Sequence, residues 1–327
     1  MIKHHTPFFE NKIIGHTIAV FIFVALAVAL YYATTVKINY IWQWNSIPHY
    51  FVYNEKEEIR APYSGEVVIK DNILTIMPYS GLEEDEEPFS VSLAGFEKRS
   101  VHGEDIFEEE VLASKTVLKK GPIINGLIVT VKVSIFGLFI AFSVGSIVAL
   151  IRLSRYQFLK DIATVYVTVI RGTPLLVQMS LFYFIIASIL KIDGFYAGAL
   201  SLGIFYGAYI AEVLRGAIQS IDKGQQEAAK SLGMNAFQTI ASIIVPQALR
   251  RALPTLINEV ISLVKDSSLV SVIAITDLTR VGREIASQTF NAFEAWITIA
   301  GIYLIITFTL SVIGSRIEAK MKERGGF

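Results

Sequence analysis

Six long apolar runs, at 13–33, 123–151, 162–190, 195–217, 254–275 and 295–315, restrict this chain to very few architectures. About 20 apolar residues in a helix cross the hydrocarbon of a bilayer, where the backbone must satisfy its own hydrogen bonds. The runs lack the strict alternation of a half-buried strand. The expected fold is an all-α polytopic membrane protein with six transmembrane helices. Two runs, 162–190 and 254–275, carry internal charges and qualify less cleanly. Composition agrees: 53% of the 327 residues are hydrophobic and only 18% are charged, against about 25% charged in an ordinary soluble domain.

The first run is too long for a signal-peptide core of about 7–15 residues, and Tyr31, Tyr32, Thr34 and Thr35 follow it in place of a small-residue cleavage site. It reads as an uncleaved anchor within 1–36. Lys and Arg beside the spans set orientation. Lys3 and Lys12; Arg152, Arg155 and Lys160; Lys223, Lys230, Arg250 and Arg251; and Arg316, Lys320, Lys322 and Arg324 occupy alternate segments. All four therefore fall on one side, the cytoplasm, together with both termini.

The stretch 37–120 then lies outside. It holds 16 acidic residues, including Glu83, Glu84, Asp85, Glu86 and Glu87, against 9 Lys and Arg, a net charge of −7. Segments 65–70 and 73–77 read as short strands around Asp71-Asn72, a moderate hairpin signal. A small external β-containing insert and a disordered acidic linker both fit this composition. Trp42 and Trp44 suit a membrane interface. The remaining 121–327 is the expected core.

A net charge of zero argues against a nucleic-acid partner, and the absence of Cys rules out disulfides and thiolate chemistry. No Gly-x-x-x-x-Gly-Lys-Ser/Thr sequence occurs, so the chain carries no phosphate-binding loop of that type. The five His (His4, His5, His16, His49 and His102) show no metal spacing, which ranks an intramembrane enzyme last.

The link at 219–253 is too regular for a simple turn. Residues 225–232 are strong helix formers, and Gly233 suits a helix end. A second segment, 235–244, opens on Asn235 and is expected to stop at Pro246. Two short helices with a fixed elbow result.

Here the sequence resembles a known family. Glu227-Ala228-Ala229, Gly233 and the 243–246 stretch ending in Pro246 match the EAA loop of ABC importer permeases. Pro246-Gln247-Ala248-Leu249-Arg250 and Leu253-Pro254 are similar to the polar amino acid subfamily, the histidine/glutamine-type permeases. Three more blocks agree: Arg171-Gly172-Thr173-Pro174-Leu175-Leu176-Val177-Gln178, Ala211-Glu212-Val213-Leu214-Arg215-Gly216 and Lys265-Asp266-Ser267-Ser268-Leu269. The resemblance covers about 126–316. It implies a bacterial inner-membrane subunit whose loop couples to a cytoplasmic ABC ATPase. It also implies a second permease subunit, identical or related, and an external substrate-binding protein that delivers a polar amino acid. No cofactor is expected on this chain; ATP belongs to the ATPase.

Charges within the spans are functional candidates by default. Arg171 stands beside Gly172, Thr173 and Pro174, a helix break of the kind that builds transporter sites. Its planar fork suits a carboxylate. Thr173 and Gln178 complete the candidate pathway with Glu259, which offers a carboxylate for an amino group. The competing reading pairs Glu259 with Arg171 and leaves neither for substrate. Glu212 and Arg215, at i, i+3, read as structural, as do Lys265 and Asp266; adjacent residues do not share a helix face, whereas Asp266 shares that of Glu259. A secondary transporter, with Glu259 and Asp266 as ion sites, is the alternative function.

Overall fold

A computed structural model of the chain describes residues 12–78, 87–100, 102–273 and 275–323. Lys3, His4, His5, the acidic run 83–86 and Arg324 lie outside the described residues.

Helix α1 (Lys12–Tyr32) continues as a wider turn over Ala33–Lys37. The Thr34 hydroxyl donates to the Leu30 and Tyr31 carbonyls there and offsets the poorer backbone bonding. A tight turn at Trp44–Tyr50 then leads into strands.

Strand β1 (Val52–Arg60) pairs antiparallel with β7 (Val111–Lys120), and β5 (Glu97–Lys98) adds to β7. The second sheet has the order β4 (Phe89–Ser92), β3 (Ile73–Pro78), β2 (Gly65–Lys70), β6 (Asp105–Ile106). Between β2 and β3, Asp71 and Asn72 both hold positive φ, 48° and 64°, the geometry whose twist matches a two-residue hairpin. Alternation puts Val67 of β2 and Leu74 and Ile76 of β3 into a small core with Leu93, Ile106 and Leu112. Among the described residues of 37–120, these two sheets account for most of the chain.

The helical core is organised by α2 (Pro122–Leu153) running along α6 (Gly194–Gln219). Gly137, Ala141, Gly145 and Ala149 recur every fourth residue on α2 and all are buried. A Cβ on Gly145 would stand 2.6 Å from Ile210 Cγ2, and one on Gly203 of α6 would stand 2.5 Å from Ile140. Small residues thus let the two backbones approach, which is how apolar helices associate where lipid removes the hydrophobic drive.

Helix α3 (Gln157–Gly172) and α4 (Leu175–Leu181) meet at 110°. A wide turn (Phe182–Ala187) and α5 (Ser188–Leu190) extend α4. After α6 come α7 (Lys223–Ser231), α8 (Ala236–Gln238), a π-type segment (Thr239–Ile244) and α9 (Val245–Asp266). A 3-10 segment (Ser267–Ile273), α10 (Leu278–Thr289) and α11 (Ala292–Glu323) complete the order.

One expectation changes. Pro246 does not stop its helix: 236–266 run on without interruption. Proline lacks only the N–H, and Pro246 sits in the first turn of α9, directly after a widened turn that accommodates the ring. Among the described residues, four helices are long and apolar enough to cross a membrane, and a fifth span appears if the α3–α5 pair counts as one. The run expected at 254–275 lies in the α-helical stretch Val245–Asp266 and in the tighter segment from Ser267. Arg250, Arg251, Glu259, Lys265 and Asp266 make α9 too charged to qualify on hydropathy.

Candidate functional site

Thr173 and Pro174 have extended backbones, ψ 148° and 136°, which is what proline imposes on its predecessor and itself. The break leaves carbonyls of α3 without helical partners. The Gln178 amide supplies them, donating from Nε2 to Ile170 O at 2.7 Å, Thr173 O at 3.0 Å and Thr173 Oγ1 at 2.5 Å. Thr173 Oγ1 also donates back to Val169 O at 2.9 Å. Both residues expected in the pathway therefore spend polar groups on holding the bend.

With its neighbours so engaged, Arg171 turns to α6. Its guanidinium lies over the Tyr209 ring, 5.1 Å from the centroid, a cation–π contact. Arg171 and Glu259 form no direct ion pair, although Glu259 feels the arginine's charge. Tyr209 connects them: with Phe205, Tyr206, Glu259, Ser262, Lys265 and Asp266 it lines a polar cavity of about 350 Å³ between α6 and α9.

The buried Tyr206 donates from Oη to Asp266 Oδ2 at 2.6 Å and anchors that carboxylate. Glu259, Ser262 and Lys265–Asp266 follow the i, i+3, i+6/i+7 stripe of one helix face. Lys265 and Asp266 reach the same cavity despite being adjacent: the helix tightens at Ser267, and the lysine stem is long. Sequence reasoning missed Tyr206, Tyr209 and Ser262. An aromatic pair at i, i+3 facing an acid-bearing helix was the signal available.

Nearer the loop, Glu212 accepts from Arg215 at 2.5 and 3.1 Å and from Arg152 of α2. The expected i, i+3 pair is thus part of a triad that joins α2 to α6. Arg215 also reaches Gln219.

The loop is held by local caps. Asp222 caps α7, accepting from Gly224 N–H at 2.7 Å. At the other end Gly233, at φ 79°, donates to Lys230 O, and Met234 donates to Ala229 O, the paired bonds of a left-handed helix stop. Asn235 and Gln238 then exchange side-chain-to-backbone bonds at 2.9 Å each, a complete capping box. Arg251 donates to Ser220 O at 2.5 Å and ties the loop's entry to α9. Ala229 is buried under the elbow, while Glu227, Ala228 and Gly233 are exposed and Pro246 stands on the exposed side of α9. Leu232 and Phe237, at 82% and 79% exposure, flank the elbow as bare apolar side chains that sequence reasoning passed over.

A broken helix beside a polar cavity and a capped elbow with bare apolar flanks are features that the membrane component of a transporter needs. Residues 134–323 match the family described as "Binding-protein-dependent transport system inner membrane component", and the chain belongs to that family. It is the permease subunit of an ABC importer and not an enzyme; ATP hydrolysis falls to a separate subunit.

Its relatives include the "Glutamine transport system permease protein GlnP" of Escherichia coli K12, 42% identical over 203 residues that cover 61% of this chain and 93% of that protein. The "Probable amino-acid ABC transporter permease protein y4tG" of Sinorhizobium fredii is 37% identical over 204 residues, covering 62% and 88%. Among solved structures, an amino acid ABC transporter crystallised with histidines matches at a TM-score of 0.57 and 42% identity, over 61% of this chain and 94% of that one. The MetNI methionine transporter, at 20% identity and a TM-score of 0.53 over 61% and 95%, shares the fold.

Proposed function

We propose that this permease carries polar amino acids, and that the cavity between α6 and α9 is where they pass. The relatives' cargo supports the substrate class, and the placement of charge supports the site. Take Lys160, Arg215 and Arg250 as markers of one membrane face. Arg171 is then eleven residues from Lys160, Tyr206 nine from Arg215 and Glu259 nine from Arg250. At 1.5 Å per residue each lies about 14–17 Å deep, near half of a hydrocarbon core of about 30 Å. Three helices bring cation, phenol and carboxylate to the midplane, where transporters hold substrate.

A zwitterion meets complementary groups there. Arg171 offers donors to an α-carboxylate; Glu259, with Asp266 beside it, accepts from an α-amino group. Thr173 and Gln178 act by holding the break that aims Arg171.

The elbow at 219–253 couples this site to two copies of a cytoplasmic ATPase through Glu227, Ala228, Ala229, Gly233 and Pro246, with Leu232 and Phe237 as the apolar contacts. A second permease subunit completes the pathway, and an external binding protein delivers cargo. Counting α9 and the broken pair as spans gives six, with both termini in the cytoplasm. Residues 1–36 then form an anchor, 37–120 an external module and 121–327 the transport core.

The single carrying observation is the capped, partner-ready elbow on a chain with no phosphate-binding loop. Reconstitution in proteoliposomes with the ATPase and binding protein should give uptake that needs ATP. Uptake driven by an ion gradient without ATP or ATPase would instead establish a secondary transporter, with Glu259 and Asp266 as ion sites.

A further inference from the structure

Glu294, in the first turn of α11, is fully buried. A buried carboxylate is costly unless hydrogen-bonded. Its partners come from far away in the chain: Oε1 accepts from Gln43 N–H at 2.5 Å and Oε2 accepts from the Tyr40 hydroxyl. Both belong to the extension that precedes the family match at 134–323, whereas Glu294 lies inside it.

The surroundings repeat the pattern. Tyr40 sets its ring edge against Phe293 at 4.7 Å, and Trp42 packs on Phe293 at 5.8 Å. Asn291 Nδ2 donates to Ser46 Oγ at 3.1 Å. Tyr50 and Phe51 pack against the buried cluster to which Ile123, Leu278 and Val281 belong. Residues 40–51 therefore form a clasp laid over the corner where α10 turns into α11, with Glu294 as its buried catch and the helix N-terminus favouring its charge.

We infer that Glu294 is a positioning residue for transport: it seats the 40–51 clasp on the α10–α11 corner, so that the strand module and this rim of the core move as one body during the cycle. The inference rests on the importer reading above. The family core carries a buried acid whose hydrogen bonds are completed by the added segment, so the extension is an integral part of the machine.

The chain has no native cysteine, so Ser46→Cys with Asn291→Cys can be joined by a short bismaleimide without background. In proteoliposomes holding the full chain, ATPase and binding protein, Glu294→Ala should lower binding-protein-stimulated uptake about tenfold, the factor for about 1.4 kcal/mol. The inserted amount and basal ATPase rate should stay unchanged. Joining 46 to 291 in that background should restore uptake, and joining them in the otherwise native chain should leave it intact. Tyr40→Phe, which keeps the ring and removes the hydroxyl, should act in the same direction and decides the question where Glu294→Ala fails to insert. Full uptake by both variants overturns the inference. So does a joined native chain that no longer transports, because the clasp must then release. The yield of joining is read without any transport: it should fall in Glu294→Ala, and an equal yield overturns the clasp. Loss of ATP dependence in the native chain would strike the importer reading and leave this yield unaffected.

Discussion

Two of the helix breaks, at 172–174 and at 232–235, satisfy their freed backbone groups in different ways. At the first, side chains satisfy the orphaned backbone: Gln178 and Thr173 bond the carbonyls that α3 leaves over. At the second, backbone bonds at Gly233 stop one helix and the Asn235–Gln238 side-chain box starts the next, each group staying at its own helix end. Water can hydrate a loose helix end but lipid cannot. The break at 172–174 therefore consumes the polar groups of Thr173 and Gln178 and leaves the Arg171 guanidinium on the Tyr209 ring. The elbow consumes none of its flanking apolar side chains, and Leu232 and Phe237 stay available to a partner.

That contrast can be broken by separating chemistry from caps at each site. Arg171→Ala removes the charged donor and leaves Gln178 and Thr173 in place. Uptake should fall by about 10- to 150-fold through KM, the equivalent of about 1.5–3 kcal/mol for a charged hydrogen bond. Steady-state uptake across a substrate series measures it, and an unchanged KM refutes a substrate role. Gln178→Leu does the reverse. Stripping the break of its donors should cost about 1–3 kcal/mol in stability, seen as a lowered Tm in detergent.

At the elbow the order inverts. Glu227→Ala should cut ATP-driven uptake about tenfold while stability stays within about 0.5 kcal/mol, because Glu227 is exposed. Gly233→Ala forces a Cβ into left-handed backbone and should cost about 1 kcal/mol, as should Asn235→Ala through the lost cap. If the two cap variants impair transport more than Glu227→Ala, the partner reads the elbow's shape more than its side chains.

The smallest effect is a pH dependence at the clasp, a third junction. Burial, then the hydrogen bond to Glu294, pushes the Tyr40 phenol up to about 12. The phenol's contribution is fully present below its unfolded value near 10 and is lost as pH rises toward 12. Native chain and Tyr40→Phe should converge in thermal stability across that window.

Much of the site was legible because each piece was local. The broken motif at Arg171–Pro174, the capping residues at Asn235 and Gly233, and the Asp71-Asn72 hairpin follow from residue types at fixed spacing. Pro246 misled because a proline's effect depends on whether the preceding turn is widened, and no local pattern announces that. The charges of the 254–275 run looked like doubtful span residues. They share a cavity only because α6 brings Tyr206 and Tyr209 alongside.

By itself the sequence determined the medium, the breaks and the elbowed loop, since hydropathy, proline and glycine act over one or two turns. Only the tertiary structure decided which polar groups meet. Arg171 lies on Tyr209 with no direct pair to Glu259, Arg152 completes the Glu212 triad, and Glu294 is held by a segment about 250 residues away, as side chains far apart in sequence find one another only through packing.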